Sequence, residues 1–130
     1  MPDINVVAVL AAGFASLLLG SAYYAIFAAQ WAQLSDAGAR SGRPRPPKLA
    51  AELARSVILA TVIAGLASRG DIQTTADGLL LGAALWVGFP FVLWTGAILW
   101  ENTPWRLAAL HAGDWLVKLL VIGMIVSAIQ

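Results

Sequence analysis

The sequence contains no cysteine. That excludes disulfides, thiolate chemistry and every cysteine-ligated metal. Charge is scarce as well, with 12% of residues charged, whereas a soluble domain carries about a quarter. A formal net charge of +1 leaves no basic surface for nucleic acid. There is one histidine, and one histidine with scattered carboxylates makes no metal site in a single chain. No metal and no cofactor is expected.

What the sequence has in abundance is apolar length: 60% of its 130 residues are hydrophobic. Charges cluster, leaving uncharged runs from Ile4 to Ser35, Ser56 to Ser68 and Gly78 to Trp100. A helix rises about 1.5 Å per residue, so a hydrocarbon core of about 30 Å takes roughly 20 apolar residues. The first and third runs suffice. The second suffices when extended back to Leu49, with Glu52 and Arg55 reaching toward headgroups from the first turns. A fourth segment, Leu107 to Ile129, has the length but carries His111, Asp114 and Lys118. The expected fold is a single all-α membrane domain, an integral four-helix bundle with spans at about 4–32, 49–68, 78–100 and 107–129. "MPDIN" lacks the basic n-region of a signal peptide and the run behind it is too long for an h-region, so the first helix is expected to be retained.

The segment between the first two spans is rich in proline, glycine and basic residues, and a loop is expected over about 36–48. Arg40, Arg43, Arg45, Lys48, Arg55 and Arg106 fall on one side by alternation, against Arg69 on the other. The positive-inside rule then places the basic loop in the cytoplasm and both termini outside, in the plasma membrane. The loop's chemistry is accounted for by orientation and attraction to anionic headgroups.

At 100° per residue, Asn5, Val9, Ala12, Gly13, Ser16, Gly20, Tyr23, Phe27 and Trp31 share one stripe of the first span. Its small residues predict a protein-facing side. In the third span Gly78, Gly82, Trp86, Phe89, Leu93, Gly96 and Trp100 share another. Gly78 and Gly82 form a GxxxG pattern, which serves contacts within a bundle as readily as a homodimer or small homo-oligomer. Pro90 deprives the Trp86 carbonyl of its partner and predicts a kink. That kink either improves packing or lines a cavity. Trp31, Trp100 and Trp105 sit at span ends, as an interfacial belt requires. Trp86, Trp94 and Trp115 lie deeper, either packed in the core or walling a pocket for a lipophilic small molecule.

The fourth span poses the chemical question. His111, Asp114, Trp115, Lys118 and Ile122 lie within about 100° of one another on the helix net. Charges near the bilayer centre cost about 3 kcal/mol each, so this face must point inward or across a subunit interface. Asp114 precedes Lys118 by four residues, the order that favours an ion pair. His111 is one turn before Asp114 and is expected to donate a ring N–H to it. Such a cluster either fixes the register of the helices or marks a proton or substrate path. No serine adjoins His111, so a Ser/His/Asp nucleophile is unsupported. Glu101, Asn5 and Tyr24 complete the candidate set.

Several pieces together resemble the small bacterial membrane proteins called domain of unknown function 1761. They are "IN" at Ile4 and Asn5, "GSAYY" from Gly20, Trp31, "DGLLLG" from Asp77, "WVGF" from Trp86, "PWRL" from Pro104 and "HAGDWLVKLL" from His111. The resemblance spans nearly the whole chain and implies four membrane spans in a plasma membrane. Members of the family often carry tyrosine and histidine where this chain has Asp114 and Trp115, which ties the Asp114 and Lys118 pair to a subgroup. No activity comes with the resemblance.

The most economical reading is a non-enzymatic membrane protein organised by a buried His/Asp/Lys cluster. Its rivals are a dimeric proton- or ion-coupled transporter and an intramembrane enzyme using Glu101, His111 or Asp114 as acid or base.

Overall fold

Asn5 opens the first helix, its side-chain oxygen accepting from the backbone N–H of Val7 at 2.9 Å and of Ala8 at 3.2 Å. In the computed structural model, which describes residues 4–40 and 45–129, this helix is α1, Val6–Ile26. Phe27 interrupts it, and α2, Ala28–Leu34, follows. The continuous span expected over 4–32 is therefore two helices. Ser35 then caps the short α3, Asp36–Ala39, accepting from Ala37 and Gly38.

The proline cluster corrects the expected loop. Pro46 and Pro47 form the first turn of α4, Pro46–Arg69. The first turn of a helix has no intrahelical use for a backbone N–H, so prolines that would break an interior can start one. Helix thus occupies both ends of the expected 36–48 loop. Arg43 lies outside the described residues, as does most of the segment that precedes α4.

After Arg69 the chain turns through Asp71 with φ of 54°. Thr74 caps α5, Thr75–Gly88, by accepting from Asp77. Phe89, with φ −122° and ψ −77°, separates α5 from α6, Pro90–Trp100. Asn102 turns the chain again at φ 55°, and α7 runs Trp105–Ala128.

The fold is all-helical among the described residues. Four helical runs there are long and apolar enough to cross a membrane: α1, α4, α5 with α6, and α7. The chain is a multi-pass membrane protein. Its α7 packs against α1, α4, α5 and α6, while α1 also packs on α4. The core is built mainly from small and β-branched side chains, with Ala12, Ala60, Ile63 and Ile122 almost fully buried.

The α5 and α7 backbones lie in close contact. A side chain at Gly82 would collide with the Leu119 carbonyl, and one at Gly78 with Gly123 and Ser127. The GxxxG pattern is thus used within the chain. The α1 stripe also faces protein, with Ala12, Gly13, Ser16 and Gly20 buried. The third-span stripe does not hold throughout. Beyond the interruption Phe89, Leu93 and Trp100 are 69%, 67% and 84% exposed. Phe89 interrupts the helix, and the positions of the stripe beyond it do not share the burial of Gly78 and Gly82.

Candidate functional site

The Asp114 carboxylate is 3% exposed, and its Oδ2 lies 2.9 Å from Lys118 Nζ one turn further along α7. A helical lysine stem leans toward the helix N-terminus, and here it leans onto its partner. Two charges at this depth cost about 6 kcal/mol together on the lenient insertion scale. At 2.9 Å and an effective dielectric constant near 20 the pair recovers about 6 kcal/mol, so it roughly offsets that cost. Further help comes from α4, whose Glu52 brings Oε1 to 3.7 Å from the same ammonium and Oε2 to 2.7 Å from Arg55. Alternating charges therefore lead from the buried Asp114 to the exposed Arg55.

Gly20 lies against this pair. A β-carbon there would stand 3.0 Å from Lys118 Cε and 3.6 Å from Asp114 Oδ1, so an added side chain would press on the lysine stem and shift it by a few tenths of an ångström.

His111 departs from expectation. Its Nδ1 meets the Tyr24 hydroxyl at 2.6 Å, and Asp114 is not its hydrogen-bond partner. Side chains on a helix lean toward its N-terminus, so His111 leans away from Asp114 and toward α1. Its ring stacks on Trp94 with centroids 5.0 Å apart and meets Trp31 edge-on at 6.5 Å. Trp31 also packs on Tyr24. Through α2, Trp31 joins this cluster, whereas Trp100 and Trp105 are exposed.

Two further ties land on the same stretch of α7. The Tyr23 hydroxyl donates to the Leu110 carbonyl at 2.6 Å, over a Gly113 whose missing side chain leaves the path open. Trp86 Nε1 donates to the Ala112 carbonyl at 2.8 Å. Trp115 lies beside the Lys118 ammonium, 5.7 Å from ring centroid to Nζ.

The candidate residues thus divide. His111, Asp114, Lys118, Tyr24, Trp86, Trp94 and Trp115 converge on residues 110–118 of α7. Asn5 is the cap at the far end of α1, beside a cavity of about 530 Å³ that Ser68, Asp71 and Gln73 also line. Glu101 is the exposed C-cap residue of α6. Pro90 lines an apolar cleft of about 570 Å³ with Leu59, Ile63, Gly88, Phe89 and Trp115. Pro90 is itself buried, so it packs into the bundle and borders the cleft at once.

Sequence reasoning missed Glu52, assigned to the headgroups, along with Tyr23 and Trp31. For Glu52 a signal was present. It precedes Ser56, Ala60, Ile63 and Ala67 at helical spacing, and all four are buried. Tyr23 and Trp31 share the first-span stripe in the sequence, which names no partner for either.

Three buried polar atoms at this site have no hydrogen-bond partner among the described residues: Asp114 Oδ1, Trp31 Nε1 and Trp94 Nε1. A fourth, Ser16 Oγ, lies one turn before Gly20. No group of three His, Asp or Glu side chains among the described residues is placed to hold a metal ion.

No curated protein and no solved structure matches the chain. A family profile does match, over residues 7–127, that of a protein of unknown function, DUF1761. With nearly its whole length matched, the chain belongs to the DUF1761 family.

Proposed function

We propose that the four spans form a four-helix bundle in the plasma membrane, kinked in its third span at Phe89 and Pro90. In this reading the polar stretch 110–118 of α7 organises the bundle and its partner contacts without catalysing a reaction. One observation carries it. Every other span sends polar or aromatic side chains onto that stretch: Tyr23 and Tyr24 from the first, Glu52 from the second, Trp86 and Trp94 from the third. Polar ties between helices do work in lipid that the hydrophobic effect cannot do there. The basic residues around α4 support a cytoplasmic position for that end, with both termini outside. A homodimer or small homo-oligomer fits this reading, with its interface away from Gly78 and Gly82, which α7 occupies.

The test is thermal unfolding in mild detergent of Asp114→Asn, Lys118→Met and the double variant. Removing one partner of a buried pair costs about 3 to 5 kcal/mol, while removing both can be neutral. Lys118→Met is expected to be the worse single variant, since it strands the more enclosed charge. Recovery in the double variant supports the reading. Three variants as stable as the parent would sink it.

One observation favours a second reading, proton-coupled transport. Asp114 Oδ1 is buried without a donor, and a carboxylate held only for structure is expected to have its lone pairs satisfied. Proton flux in liposomes that disappears in Asp114→Asn supports transport, and flux unchanged by that substitution counts against it.

A further inference from the structure

The apolar cleft of about 570 Å³ lies between α4 and the α5–α6 run, with Trp115 and Leu119 of α7 lining it. Its α4 wall is formed by Leu59, Val62, Ile63 and Leu66, of which Leu59, Val62 and Leu66 share one stripe. On the helix net Arg55 falls within about 60° of all three, so a guanidinium ends the apolar stripe. The Arg55 side chain is 68% exposed, and its ion pair with Glu52 uses one nitrogen. A guanidinium has five N–H donors, and the rest of this fork is free for the oxygens of a phosphate.

On the opposite wall the break at Phe89 leaves room. A β-carbon at Gly88 would meet nothing within 4 Å. Arg55 to Leu66 rises about 16 Å along the helix, about the roughly 15 Å depth of one leaflet's hydrocarbon. The cleft runs along α4 from the Arg55 end inward. Arg45 and Lys48, both exposed, precede it on the same side, where basic side chains attract anionic headgroups.

We propose that this cleft holds one acyl chain of an anionic phospholipid from the leaflet that meets the start of α4, with the lipid phosphate on Arg55. The chain replaces the protein neighbour that the separation of α4 from α5–α6 leaves out. The phosphate shares the Arg55 guanidinium with Glu52. Trp115 separates the chain from the Lys118 ammonium on its far side.

The experiment is native mass spectrometry of the full chain in mild detergent with equimolar dioleoylphosphatidylglycerol and dioleoylphosphatidylcholine. The parent should carry one lipid, with phosphatidylglycerol favoured by about fivefold, the preference expected of one basic side chain at the membrane surface. Arg55→Gln should keep the adduct and lose the preference. Gly88→Leu, which enters open space and should keep the helical circular dichroism of the parent, should lose the adduct with either lipid. If Gly88→Leu does not fold, Val62→Trp on the exposed opposite wall serves the same purpose. Equal occupancy by both lipids in the parent overturns the proposal, as does an unchanged preference in Arg55→Gln or an undiminished adduct in the filled variant. Cross-linking of Leu93→Cys between two copies at full yield overturns it too, since a second copy then covers the cleft.

Discussion

The hydroxyl of Tyr24 on α1 and Nδ1 of His111 on α7 are 2.6 Å apart, which ties the first span to the last. Removing the hydroxyl leaves a ring nitrogen in apolar surroundings with Trp94 stacked against it. Tyr24→Phe is expected to lose about 1 to 2 kcal/mol, read as a fall in unfolding temperature in detergent. Combined with His111→Phe, it should add nothing further. An additive double variant would show that the two side chains do not act as a unit.

Gly82 sets how near α5 can come to α7. Gly82→Leu drives a side chain into the Leu119 backbone, and overpacking of this kind costs about 1 to 3 kcal/mol or more. Gly96→Ala, with nothing within 4 Å of the added carbon, should be neutral or gain up to about 1 kcal/mol of helix propensity. Comparing unfolding temperatures of the two separates a close backbone approach from a general need for glycine.

The two glutamates should behave differently. Glu52 reaches the Lys118 ammonium, so Glu52→Gln is expected to destabilise by about 1 to 3 kcal/mol, the range for losing a charged partner. Glu101 is exposed at the end of α6, and Glu101→Gln should stay within about 0.5 kcal/mol. Equal effects in an unfolding assay would remove Glu52 from the cluster.

Asn5→Ala removes a helix cap and should cost about 1 kcal/mol. Because Asn5 stands at the opposite end of α1 from Tyr24, its loss should add to that of Tyr24→Phe within about 0.5 kcal/mol. A larger coupling would mean that Asn5 acts on the His111 site.

Much of this molecule is legible without coordinates. Uncharged runs of bilayer length mark the spans, and the small residues of α1 mark its inner face, because both follow from helix periodicity and the cost of polar groups in hydrocarbon. The Asp114 and Lys118 pair is equally readable, being an i, i+4 contact within one helix. Misreadings cluster where two rules compete. Pro46 and Pro47 are helix breakers inside a helix and helix starters at its first turn, and only the chain's path settles which applies. Glu52 carries a side chain long enough to reach either a headgroup or a neighbouring helix.

By itself, then, the sequence determined the number of spans, the inward face of α1 and the presence of a buried ion pair, all of which are properties of single helices in an apolar solvent. Tertiary structure decided that α7 is the helix the others meet, that Tyr24 rather than Asp114 pairs with His111, that Trp31 folds onto the cluster, and that Gly78 and Gly82 are consumed inside the chain. These depend on which helices are neighbours and at what rotation. A helix net describes one helix at a time and contains no information about either.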